Sequence, residues 1–302
     1  MLLKERAMGV RFNTSAITES SSDVGRELAK PSGGSHGAAL RWSARFLVAA
    51  SWISGAIFAA YIVAFFGGVA LGGAGERWNE SLPDLYDGGA LLSTAAIGAH
   101  FMAGAVLLLL GPVQLIGSVR RNVPALHRWL GRIYVASAGL AGLGGFGFIV
   151  GRGTIGGPLM DTGFGIYGAL MVLCAAMVYA RARSGSYDQH RAWAIRLFAL
   201  TVGSWLYRME YGAWFLLSGG VGIGPGFTGW FDAIMVFFFY VPNLVVGELF
   251  IQARRRARGV VASFGAATVL LAASAFIISA TWSFTARSWG PRMISGITET
   301  SL

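Results

Sequence analysis

Seven stretches of the chain stay apolar for about 20 residues or more, the length a helix needs to cross a bilayer core. They are Phe46–Leu71, Ala90–Ile116, Trp129–Val150, Gly163–Ala182, Trp193–Leu217, Phe231–Ile251 and Val260–Phe284. Polar and charged residues collect between them. Gly111-Pro112 and Pro242 fall inside such stretches, and membrane helices tolerate these residues better than soluble ones do. The pattern predicts an all-α polytopic membrane bundle of seven transmembrane helices over residues 43–286. Residues 1–42 are polar and have no early apolar run of the secretory-signal kind, so they read as a disordered cytoplasmic tail, with Met8 an alternative start. Residues 287–302 read as an outer C-terminal tail.

Composition agrees with this reading. Of 302 residues, 55% are hydrophobic and only 13% charged, about half the charge of a soluble domain. Mean hydropathy is +0.59. The single cysteine, Cys174, lies in an apolar run and excludes an internal disulfide, a Cys-ligated zinc site or an iron–sulfur cluster. The net charge of +10 acts as an orientation code rather than a nucleic-acid signature. Seven Lys or Arg precede the first span, up to Arg45. Four more lie at each of three later corners: Arg120, Arg121, Arg128 and Arg132; Arg181, Arg183, Arg191 and Arg196; Arg254, Arg255, Arg256 and Arg258. Those 19 sit on one side, against five (Arg77, Arg152, Arg208, Arg287 and Arg292) on the other. The asymmetry predicts the N-terminus inside and the C-terminus outside a bacterial inner (cytoplasmic) membrane.

Two inner corners echo each other. His127-Arg128-Trp129-Leu130-Gly131-Arg132 opens the third span, and His190-Arg191-Ala192-Trp193-Ala194-Ile195-Arg196 opens the fifth. Each follows a span descending from outside, so the unit is a two-helix hairpin used twice in one orientation, either a parallel repeat or a chance recurrence. From His100 to Arg256 the chain resembles the uncharacterised bacterial membrane family catalogued as domain of unknown function 2306. The resemblance rests on Leu126–Tyr134, on Gln189–Arg196 and on Val241-Pro242-Asn243-Leu244 with Glu248. It implies a multi-pass membrane protein and supplies topology rather than a reaction.

The candidate chemistry is sparse. His36 lies in the tail. His100 lies about 15 Å into the second helix from its outer end, a depth where ionisable groups are rare and often functional. His127 and His190 sit at matched depth at the inner corners. One b-type haem held by an imidazole from each of two helices is a sharp reading for them, with His100 as a spare ligand. Gly104, on the His100 face, leaves room for a flat ring or a quinone. Three membrane histidines exclude two bis-histidine haems. The alternative is structural or lipid-binding: Arg128, Arg132, Arg191 and Arg196 attract anionic lipid headgroups, and His100 bonds a neighbouring helix.

Antiparallel order allows two ion pairs between the fifth and sixth spans, Arg196 with Glu248 at the inner end and Arg208 with Asp232 at the outer end. Glu210 points about 160° away from Arg208 on the helical wheel. His100, Glu210 and Glu248 are a weaker candidate proton path. Gly147 and Gly151 have small-xxx-small spacing, with Gly139, Gly142, Gly144 and Gly145 before them, which predicts close packing of the third span. Trp42, Trp78, Trp129, Trp193, Trp230 and Trp282 read as interfacial anchors. The loop Gly72–Gly89 reads as solvated, with an outer cap as the alternative. No phosphate loop, nucleophile elbow or carboxylate cluster is present in the sequence. Two function classes remain: a b-type haem or quinone-linked redox protein, and a non-redox transporter, lipid-binding or accessory subunit.

Overall fold

The computed structural model describes residues 35–253 and 260–298, with side chains described over 38–252 and 265–298. The tail through residue 34 with Met8, Lys4 and Lys30, the His36 side chain, the Arg254–Arg258 corner and residues 299–302 lie outside the described residues. All regular structure among the described residues is helical. The long elements are α1 (Ser35–Tyr61), α2 (Leu91–Leu115), α4 (Pro124–Arg152), α5 (Gly157–Arg183), α6 (Tyr187–Ser218) and α9 (Val260–Phe284). Shorter ones are α3 (Gly117–Asn122), α7 (Trp230–Phe238), α8 (Val241–Ala253) and α10 (Gly290–Thr298).

Six helical stretches are long and apolar enough to cross a membrane: Ala38–Leu71, Leu91–Leu115, Pro124–Arg152, Gly157–Arg183, Trp230–Gln252 and Gly265–Thr298. Helix α6, at the expected fifth span, has 32 residues and is longer than four of them. Its Arg196, Arg208 and Glu210, with several tyrosines, leave it short of their apolarity. The expected sixth span is broken into α7 and α8. Pro242 at the start of α8 has no N–H to give the preceding turn, and Asn243 Nδ2 instead donates to Phe239 O at 2.7 Å.

Glycines set the spacing of the bundle. Helices α2 and α4 form its closest-packed pair. A Cβ on Gly144 would stand 2.5 Å from Ala96 O and 3.1 Å from the His100 backbone nitrogen. One on Gly151 would overlap Ser93 Oγ. On the other side of α4, a Cβ on Gly142 would stand 2.8 Å from Gly168 O of α5. This is the small-residue packing expected of the third span, where backbones approach because no side chain separates them. Gly139 has open space around its Cβ position. Helix α6 touches α2, α5, α8 and α9 and so occupies the centre.

The loop after the first helix is a folded cap. A 3₁₀ turn, Gly75–Glu80, tucks Trp78 into the core, where its indole N–H donates to Phe66 O at 2.9 Å. Asn79 and Tyr86 exchange two hydrogen bonds across the loop, at 3.1 and 2.9 Å. Residues 287–298, expected as a tail, are helical. After a π turn (Thr285–Trp289), α10 packs on a second π turn (Ile62–Gly67) beyond α1. Gly296 lies against the Ala64 carbonyl. Arg292 reaches back to the Glu80 carbonyl at 3.0 Å, so α10 and the cap close the same corner of the bundle.

Candidate functional site

Helix α6 gathers the polar groups of the bundle. Tyr134 of α4 donates to Thr201 at 2.8 Å, since the Thr201 hydroxyl itself donates to Phe198 O. Tyr167 of α5 donates to Leu200 O at 3.0 Å. Trp205 Nε1 donates to Ser54 of α1 at 3.2 Å, and Ser54 lies 2.5 Å from Thr281 of α9. Each bond satisfies a group that lipid or core would leave dry. Together they fix the rotation of α6 against α1, α4 and α5.

Both corner histidines stand three residues into their helices, after Pro124 and after Tyr187. The echo therefore places them at equivalent positions. Their environments differ. His190 Nδ1 lies 3.0 Å from Val178 O of the preceding helix. A carbonyl only accepts, so that nitrogen carries the proton and Nε2 keeps a lone pair. His127 Nδ1 is buried without a hydrogen-bond partner, and the two rings are electrostatic neighbours. Arg132 stacks over Trp129 at 5.1 Å and Arg196 over Trp193 at 4.9 Å. The spacing recurs where sequence reading missed it: Arg45 lies 5.2 Å over Trp42 on α1. Three helices leaving the same face thus begin with Trp-x-x-Arg, a pattern visible in the sequence as spacing alone.

Of the two expected ion pairs, one forms. Arg196 grips Glu248 Oε2 through Nε at 3.1 Å and Nη2 at 2.7 Å. Arg208 and Asp232 do not meet. Asp232 is fully buried and accepts from Gly224 N, Gly229 N and Tyr211 OH, at 2.8, 2.8 and 2.7 Å. It stands in the first turn of α7, where unpaired backbone N–H groups are nearer partners than a side chain on another helix. Arg208 turns the other way. It donates to Ser204 O at 2.9 Å and lies 4.9 Å over the Phe58 ring of α1. Tyr61, Tyr167, Tyr207 and His100 are its electrostatic neighbours. No carboxylate pairs with it among the described residues.

His100 is held from α4. Its Nδ1 lies 2.7 Å from Ala141 O, and the ring fills the notch of Gly145, whose Cβ would stand 3.1 Å from that nitrogen. Around Gly104 nothing lies within 4 Å of a built Cβ. Glu210 Oε2 is buried without a partner and Glu248 is committed to Arg196, so the structure does not join His100, Glu210 and Glu248 into a relay. Outside the spans, Arg77 pairs with Glu80 at 2.7 Å. That guanidinium holds the Glu80 carboxyl below its usual range. Cys174 is buried and free. Among the described residues no three His, Cys, Asp or Glu side chains gather as a metal site.

No curated protein and no solved structure matches the chain. Residues 97–251, which run from α2 through both histidine corners to the Arg196–Glu248 pair, match the family described as "Predicted membrane protein (DUF2306)". The chain belongs to that family of multi-pass membrane proteins.

Proposed function

We propose a seven-span protein of the bacterial inner membrane, with α6 as its fifth span, the N-terminal tail inside and the C-terminal end outside. The 19-to-five arginine and lysine asymmetry supports the orientation. The hydrogen bonds that tie α6 to α1, α4 and α5 support its crossing despite its charge.

Within that frame we propose a redox role, a b-type haem held between His127 and His190. The observation that carries it is the pair's nitrogens. His190 is anchored through Nδ1 to Val178 O, which leaves Nε2 available. His127 keeps a buried nitrogen with no partner. Iron-ligating histidines commonly spend one nitrogen on a carbonyl and offer the other. A haem bound there supplies one-electron transfer. The chain's own part is to hold the two imidazoles from two helices and to shield them from water. A membrane quinone is the fitting electron partner. The test is the dithionite-reduced spectrum of the purified protein. A b-type band lost in both His127→Ala and His190→Ala, and retained in His100→Ala, is expected. A colourless protein overturns the proposal.

A second, non-redox reading is favoured by the stacked Trp-x-x-Arg corners. An exposed indole with a guanidinium across its face suits the glycerol–phosphate level of an anionic leaflet. Arg128 and Arg191, beside Trp129 and Trp193, add charge there. Retention of phosphatidylglycerol through purification, lost on substituting Arg45, Arg128 and Arg132, is the expected result.

A further inference from the structure

The centre of the bundle holds a cation that the described chain does not neutralise. Arg208 lies ten residues from the outer end of α6, about 15 Å along its axis. His100 lies nine residues into α2, about 14 Å from the same face. A guanidinium at that depth is retained only at a cost, and such residues mark ligand or ion sites. Its obvious counter-ions are otherwise engaged. Asp232 is bonded to three other donors, Glu248 is bonded to Arg196, and Glu210 lies round the helix from it. The nearby phenols are also spoken for: Tyr167 donates to Leu200 O, and Tyr61 is bonded to Ser81. Two unspent functions remain. Arg208 has N–H groups beyond the one on Ser204 O, and His100 has the Nε2 lone pair that its bond to Ala141 O dictates.

We propose that Arg208 and His100 bind a hydrogen-phosphate headgroup within the membrane. A phosphate monoester monoanion has what each side requires. Its charged oxygen accepts from the guanidinium, and its hydroxyl donates to His100 Nε2. The Phe58 ring backs the guanidinium on one side, and the open space at Gly104, one turn along from His100, leaves room beside the site. The cap, with Trp78 in the core and Ser81 on Tyr61, covers the outer approach. That favours a phosphate carried on an acyl tail and entering from the bilayer over free phosphate from solution. The site is separate from the inner histidine corner and does not rest on the haem reading.

The test uses the full chain purified in a neutral detergent, with thermal melting followed against added dioctanoyl phosphatidate, dioctanoyl phosphatidylcholine, inorganic phosphate and decylubiquinone. Phosphatidate is expected to raise the melting temperature saturably, and phosphatidylcholine is expected not to. Arg208→Gln should weaken the apparent affinity roughly tenfold to a hundredfold. Arg208→Lys, which keeps the charge, should weaken it several-fold, because the fork is lost. A double Arg128→Gln, Arg132→Gln variant should keep the Arg208-dependent part of the shift, whatever it loses at the inner corner. A shift with inorganic phosphate that is lost in the Arg208 variants supports the site and makes the free anion its ligand. A phosphatidate shift unchanged by Arg208→Lys and Arg208→Gln, or lost in the Arg128 and Arg132 variant instead, overturns the proposal. A shift given by decylubiquinone alone also overturns it and assigns the space beside His100 to a quinone.

Discussion

Two of the arginines on helix α6, Arg196 and Arg208, stand twelve residues apart and are treated differently. Arg196, at the inner end, has a carboxylate on α8 and a tryptophan face beneath it. Its side chain keeps 28% of its surface exposed and that of Glu248 keeps 41%, so the pair is half in water and of modest strength. Arg208, at the centre, has a backbone carbonyl, a phenylalanine ring and phenols around it. Where water is within reach the chain pairs its charge; where water is not, it leaves the charge to aromatic rings. A fold selected for stability alone would not keep the second arrangement, because an unpaired buried charge is among the costliest groups to hold. The difference separates a structural arginine from one retained for a ligand.

The largest expected effect concerns the residue that sequence logic assigned to Arg208. Asp232→Ala should destabilise the protein by on the order of 3 kcal/mol in an SDS titration, because three donors lose a charged acceptor at once. If Asp232 were instead a counter-ion of Arg208, the loss would be reversed by a second substitution, Arg208→Gln. The structure predicts no such rescue.

Next in size is the contrast between the arginines themselves. Arg208→Gln should leave the apo protein as stable as the parent or more stable by about 1 kcal/mol, since it removes a charge without stranding another. Arg196→Gln should lower stability by up to about 1 kcal/mol, since it strands Glu248. Equal losses at both positions would erase the distinction. Double-mutant cycles sharpen it further. Arg196 with Glu248 should couple by roughly 0.5–1 kcal/mol, and Arg208 with Asp232 by less than about 0.3 kcal/mol.

Much of this was legible beforehand and part was not, for physical reasons. Helix positions follow from apolar length, which is local. Arg196–Glu248 followed from antiparallel order, because neither residue had a nearer partner. Asp232 failed the same argument because it opens a helix after Gly219–Gly226, and local backbone donors outcompete a distant side chain. The glycine face of α4 was readable as small-residue spacing, although its partner helix was not. The cap was read as solvated because its order depends on Trp78 reaching Phe66 O, a contact that no local pattern encodes. The third Trp-x-x-Arg corner was missed because Trp42 and Arg45 sit at the edge of a polar tail.

The smallest expected effect lies at the outer rim, where Arg77 and Glu80 pair with the Glu80 side chain 48% exposed. This pair extends the comparison to a third site, with the Arg77 side chain 20% exposed and that of Glu80 48%, much as for Arg196 and Glu248. The Glu80 carboxyl is held below its ordinary range by hydrogen bonding to Arg77. A depressed carboxyl pKa contributes stability that is present above the unfolded-state value and is lost as pH falls through the folded-state one. Glu80→Gln should therefore be slightly less stable than the parent at neutral pH and indistinguishable from it once pH has fallen through the lowered folded-state value and the parent carboxylate is protonated as well. Salt should shrink the neutral-pH difference. By the same measure Arg196→Gln should respond to salt about as Glu80→Gln does, its pair being about equally exposed, and the binding contribution of Arg208 should respond least. A salt series across the three sites therefore sets Arg208 apart from the two exposed pairs, and an equal response at Arg208 would show that it is reached by water and has no need of a bound anion.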